Sequence, residues 1–108
     1  HDDQALVVNV KNKGLVILTG CGHAGAINTV RYAQKVTGVQ KVHAVLGGLH
    51  LTGAAFEPLI APTVAALKEI DPILIVPAHC TGWRATHAVA RELPEAFVAN
   101  SVGTRFVM

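Results

Sequence analysis

Three runs rich in branched apolar residues, Gly14–Thr19 (GLVILT), Val42–Leu46 (VHAVL) and Ile73–Val76 (ILIV), are separated by amphipathic segments. Apolar runs of this length without polar alternation read as strands buried on both faces, the pattern of a largely parallel sheet. The segments between them carry helical periodicity. After Gly25, the residues Ile27, Val30, Ala33 and Val36 recur at helical spacing with Arg31, Gln34 and Lys35 between them, until Thr37-Gly38 supplies a stop. From about Pro58 to Ile70, Ile60, Val64 and Leu67 share one face, and Pro62 falls early enough to be tolerated in the first turns. Asp71-Pro72 ends this helix, and a third runs from beyond Thr81-Gly82 to about Leu93, before Pro94. A further strand, Ala5–Val10, is joined to Gly14–Thr19 by the polar turn Lys11-Asn12-Lys13 and reads as the first arm of a hairpin. In the tail, Phe97–Ala99 and Thr104–Met108 alternate as two short closing strands.

The expected fold class is therefore α/β, a hairpin followed by βαβ-type units, with one sheet and helices on one face. Three helices supply a single face of cover, so something else must cover the other. At 108 residues and 51% hydrophobic content, the chain has the size and apolar fraction of one small domain. A net charge of +2 from scattered Lys and Arg leaves no basic stripe for nucleic acid. Cys21 and Cys80 lie too far apart along the chain for a CxxC redox or zinc-knuckle motif, no disulfide framework is expected, and both read as small buried residues in a reducing, cytoplasmic setting. No apolar run approaches the roughly 18 residues that span a bilayer, so no membrane association is expected. The start at His1, closely followed by a strand, is how a fragment or processed product begins.

Three histidines lie at equivalent points of this architecture: His23 in Gly20-Cys21-Gly22-His23-Ala24-Gly25, His50 in Gly47-Gly48-Leu49-His50, and His79 in Pro77-Ala78-His79-Cys80-Thr81-Gly82. Each follows the carboxyl end of a strand, the edge at which ligands bind in open α/β sheets. Neutral imidazole is a common zinc and iron ligand, and three such groups with an open position make a catalytic-type metal site. A histidine in a glycine-rich turn is more often an ordinary hydrogen-bonded loop residue, and the matching strand exits are what set these three apart. His1, His43 and His87 read as structural or solvent residues. Thr81-Gly82, opening a helix beside His79, offers backbone N–H groups to an anionic substrate, with Arg84 as a charge partner. The bland alternatives are an N-cap for Thr81 and a solvated side chain for Arg84.

Gly20-x-Gly22-x-x-Gly25 also matches the dinucleotide-binding pattern between a strand and a helix. The ribose-binding acid expected about 20 residues later is missing, because no acidic residue occurs between Gly25 and Glu57.

The phrases LTGCGHAG, AVLGGLHL and VPAHCTGW, in this order, resemble the C-terminal half of metallo-β-lactamase-superfamily hydrolases, in the branch of dihydropterin-phosphate synthase-like proteins. The opening DDQALVVNV and the closing NSVGTRF resemble the same branch, so the likeness covers nearly the whole chain. The resemblance implies that residues 1–108 form the C-terminal half of an αββα sandwich with a metal site at one edge. His23 matches the superfamily's third ligand motif and His79 its last, while His50 stands where many members place a bridging aspartate. The superfamily's H-x-H-x-D-H motif is absent from this chain, and all seven acidic residues lie outside the three histidine motifs, so no general base is in sight. The implied function is a metal-dependent hydrolase acting on an ester, phosphoester or amide-like bond of a small molecule. Its cofactor would be one or two ions of zinc, with iron or manganese as alternatives, and its partner the N-terminal half of the fold or a second copy. A pterin-related transferase using the same site, and a non-catalytic self-associating fragment, are the competing readings.

Overall fold

The computed structural model describes residues 2–108, so His1 lies outside the described residues. Among the described residues, strands β1 (Ala5–Val10), β2 (Gly14–Thr19), β3 (Val42–Gly48) and β4 (Leu74–Ala78) form one sheet in the order β1-β2-β3-β4. The hairpin turn makes β1 and β2 antiparallel, whereas β2-β3 and β3-β4 pair in parallel. Parallel neighbours need a crossover to bring the chain back to the same end of the sheet. Helices α1 (Ala26–Thr37) and α2 (Ile60–Ile70) fill those crossovers, and α3 (Trp83–Glu92) follows β4. The helices end as their sequences suggest. Gly38 takes a left-handed φ of 70° and its N–H reaches the Gln34 carbonyl, and Asp71, at φ 53°, does the same to Leu67.

One apolar cluster joins Leu15 and Ile17 of β2 and Val42 and Val45 of β3 to Ala26, Val30 and Ala33 of α1. A second centres on Ile75 of β4 against Val64 and Leu67 of α2 and Val89 of α3. Burying side chains of this size stabilises the fold by roughly 1.5–3 kcal/mol each. On the surface, Lys68 of α2 and Glu92 of α3 pair at 2.7 Å. This mixed α/β sheet with three helices is the half-fold expected above. No helix among the described residues is long and apolar enough to cross a membrane.

The opposite face of the sheet stays open. Leu6, Val8 and Leu18 are 59%, 46% and 46% exposed, and they line a groove with Val16, Leu46, Phe106 and Met108. Here the expectation of two closing strands fails. Phe97 contributes a single parallel bridge to Ile75, and residues 104–108 form no strand. A strand needs a free sheet edge for its N–H and C=O groups. The last residues instead bring Phe106 and Met108 beside face-pointing side chains, where their backbone has no ladder to join.

The open face should drive association of the chain on its own, because contiguous apolar patches beyond a few hundred Å² are rarely left in water. Light scattering should report a mass above that of one chain, and Leu6→Lys with Leu18→Glu should return it to the monomer. A monodisperse wild-type monomer that binds no apolar dye would contradict this.

Candidate metal centre

The three parallel-sheet exits are drawn together by two buried hydroxyls. Thr19, at the end of β2, donates to the carbonyls of Leu46 (3.1 Å) and Gly48 (2.8 Å) on β3. Thr81, only 1% exposed, accepts from the Leu49 N–H at 3.1 Å and donates to the Ala78 carbonyl at 2.7 Å, linking the exits of β3 and β4. The glycines permit this closeness. A Cβ at Gly47, whose φ is 112°, would lie 2.1 Å from the Thr19 carbonyl, and one at Gly48 would meet Cys21 Cα at 2.9 Å.

His23 sits in the loop after β2, and the chain start positions that loop. The hairpin register pairs Ala5 with Thr19, so residues just before β1 lie beside residues just after β2. Asp3 accepts the N–H groups of Gly22 (3.1 Å) and Ala24 (2.9 Å), one on each carboxylate oxygen, clamping the backbone on both sides of His23. Its carboxyl is held below the ordinary 3.8, chiefly by the Ala24 N–H, then by the Gly22 and His23 N–H groups and the His23 charge, against an opposing effect of burial. Asp2 places Oδ2 3.1 Å from His23 Nδ1. The sequence places all seven acids outside the histidine motifs, with no general base in sight, yet two of the seven, Asp2 and Asp3, fold back onto the His23 loop. Extending the hairpin register would have found them.

His50 follows β3 with a left-handed φ of 50°, an uncommon conformation for a residue with a side chain. Its ring is fixed on three sides: edge-to-face with His23 and with Phe56, both at 4.5 Å between centroids, and through Nδ1 to Cys21 Sγ at 3.4 Å. Cys21 Sγ lies 2.9 Å from Cys80 Sγ, and Cys80 Sγ lies 2.9 Å from the Cys21 carbonyl. Cys21, His50 and Cys80 offer ligand atoms within 4.8 Å of one another, a donor set suited to a borderline-soft metal. The two cysteines are therefore not the fully buried small residues expected from the sequence. Both are half-buried and paired, because the exits of β2 and β4 meet over a strand end that has no side chains. The Cys21 thiol is pushed up from 9.0 to about 11, first by its hydrogen bond to Cys80, then by burial and by the charges of Cys80, Asp3 and Asp2.

With both thiol protons directed elsewhere, Nδ1–H of His50 is the donor that completes the Cys21 contact. Nε2 is then left with its lone pair. The Asp2 contact does the same for His23, a pairing in which a carboxylate fixes the tautomer and leaves the far nitrogen free for a metal. His79 begins the one-turn helix His79–Thr81 after β4, is exposed, and shares the left-handed geometry at φ 52°. It lies outside the Cys21-His50-Cys80 group. Thr81 spends its hydroxyl on the strand exits. Arg84 is exposed, 3.4 Å from Glu57 and 5.3 Å from the centre of the Trp83 ring. His43 lies within β3, and His87 stacks edge-on with Trp83 at 5.5 Å. Beside His23 and His50, a cleft of about 440 Å³ runs between α1 and α2, lined among others by Arg31, Leu51, Phe56 and Leu59.

No family model matches the chain. It is 38% identical over 96 residues to a 7,8-dihydropterin-6-methyl-4-(beta-D-ribofuranosyl)-aminobenzene-5'-phosphate synthase of Methanocaldococcus jannaschii, covering 89% of this chain and 32% of that protein. An uncharacterised protein of the same organism is 39% identical over 85 residues, covering 79% of this chain and 29% of its own length. Among solved structures, a metal-dependent hydrolase of the β-lactamase superfamily superposes with a TM-score of 0.87 at 32% identity, covering 97% of this chain and 40% of that one. The chain thus spans about one third of the length of the curated relatives it matches.

Two titrations follow from this geometry. The depressed Asp3 carboxyl contributes stability that is present above its ordinary 3.8 and lost as pH falls through the lowered value. The amide resonances of Gly22 and Ala24 should therefore shift with a midpoint below 3.8, and both amides should exchange faster in Asp3→Asn. A midpoint at or above the ordinary value would remove the clamp. For the raised Cys21 thiol, the alkylation rate in the metal-free Cys80-containing chain should keep climbing toward pH 11. A plateau by about pH 9 would show that the thiol pair does not hold the proton.

Proposed function

Because the chain has the metallo-β-lactamase-superfamily fold over the part it spans, we propose that it forms one edge of a metal-dependent hydrolase centre to which it contributes His23, His50 and His79. The observation that carries this reading is the pair of imidazoles at adjacent strand exits, each with Nδ1 engaged from behind, by Asp2 for His23 and by Cys21 for His50. Both are left with Nε2 as a ligand, and the donor chemistry fits zinc. The left-handed backbone shared by His50 and His79 supports a site for which local strain is tolerated. When bound, the ion would supply Lewis acidity and a water of lowered pKa for attack on an ester, phosphoester or amide-like bond.

The chain's own residues have separate tasks. Asp3 holds the His23 loop, Phe56 and Cys21 hold the His50 ring, and the cleft beside them receives the body of a small-molecule substrate. Arg31 lines that cleft and can meet an anionic group. Arg84 can join it by exchanging its exposed Glu57 partner, and the first turn of α3, which has no side-chain cap, leaves N–H groups free beside Thr81. The remaining ligands and the cover for the open sheet face belong, in this reading, to the complementary part of the same fold. Similarity to the pterin-phosphate synthase supports a second reading, transfer to or from a pterin-like substrate at the same centre.

Zinc titration by calorimetry tests the ligand assignment. The chain should bind zinc well below the strength of a complete site, His23→Ala and His50→Ala should each weaken binding by about tenfold or more, and His43→Ala and His87→Ala should leave it unchanged. A nanomolar site that survives His23→Ala but disappears in His43→Ala would overturn the assignment.

A further inference from the structure

We propose that Cys21 and Cys80 are a redox pair that closes to an intramolecular disulfide with a low-molecular-weight disulfide as oxidant. The two residues leave strands that are not neighbours, since β3 lies between β2 and β4. Two strand spacings put such exits roughly 9–10 Å apart. The cysteines meet only because the end of β3 is Gly47-Gly48. Gly48 donates its N–H to the Gly20 carbonyl at 3.1 Å, and the missing Cβ at 48 is the space that Cys21 occupies.

The two Sγ atoms lie 2.9 Å apart, in direct contact with no residue between them. They need to approach by less than about 1 Å to reach a bonded distance near 2.05 Å. Half-burial of both residues admits a small disulfide and disfavours pairing with a second chain. In the balanced reaction, one thiolate attacks the small disulfide RSSR, forming a mixed disulfide and releasing RS⁻. The other thiolate then attacks the protein-bound sulfur and expels the second RS⁻. The pair loses two electrons and two protons, and the oxidant is recovered as two RSH. Closure ties the His23 loop covalently to the turn carrying His79, and it converts the sulfur facing His50 Nδ1 from a thiol to a disulfide sulfur.

The test incubates the whole chain with oxidised and reduced glutathione at about pH 8 in the presence of a chelator, followed by acid quenching, alkylation and intact-mass measurement. Wild type should lose the mass of two hydrogens, resist alkylation at both cysteines and recover on reduction. Cys21→Ser and Cys80→Ser should instead each carry one glutathione. Wild type should become half-oxidised at an oxidised glutathione concentration about tenfold or more below that needed for adducts in the single variants. His50→Ala, which leaves both sulfurs in place, should still close. Stable glutathione adducts on wild type, or a disulfide that forms only between chains, would overturn the proposal.

Discussion

Everything at the candidate centre depends on bringing three strand exits to one point, and two buried threonine hydroxyls do this. Thr19 binds β2 to β3 through the Leu46 and Gly48 carbonyls, and Thr81 binds β3 to β4 through the Leu49 N–H and the Ala78 carbonyl. A backbone group left unsatisfied when buried costs roughly 1–3 kcal/mol, and the threonine hydroxyls supply partners at the strand ends while setting their spacing. The small residues complete the arrangement. With no side chain at Gly47 or Gly48, β3 ends low enough for the loops of its two neighbours to meet above it.

From this closeness follows a division between groups that hold and groups that are held. Asp2 and Cys21 face the inner nitrogens of His23 and His50, Asp3 fixes the intervening backbone, and Phe56 closes the far side of the His50 ring. Imidazoles oriented in this way lose little further rotamer freedom on taking a ligand, which is the physical content of a prepared site. The thiol pair is part of the same packing. Redox chemistry at Cys21 would therefore be felt at His50 through a single contact.

The two faces of the sheet have opposite energetics. The helix-covered face buries Leu15, Ile17, Val45 and Ile75 completely. The other leaves Leu6, Val8 and Leu18 about half in water, forgoing roughly half of the 1.5–3 kcal/mol that full burial of each side chain would supply. Phe106 and Met108 shelter only part of this face.

Periodicity and punctuation were enough to read most of the fold. The strands and helices, the glycine stop after α1, the hairpin and the predominantly parallel order all rest on local signals, namely apolar spacing, turn residues and caps. The same logic placed His23, His50 and His79 at strand exits, because an exit is a position along the chain. What depends on contact across the sheet was not readable in this way. The pairing of Cys21 with Cys80 requires the absence of side chains on a third strand, and the return of Asp2 and Asp3 to His23 requires the hairpin register to continue past its strands. The tail shows the converse limit. Alternation in Thr104–Met108 records that the side chains face two environments, but only the tertiary structure decides whether a free edge exists to make that segment a strand, and here it meets the sheet's face instead.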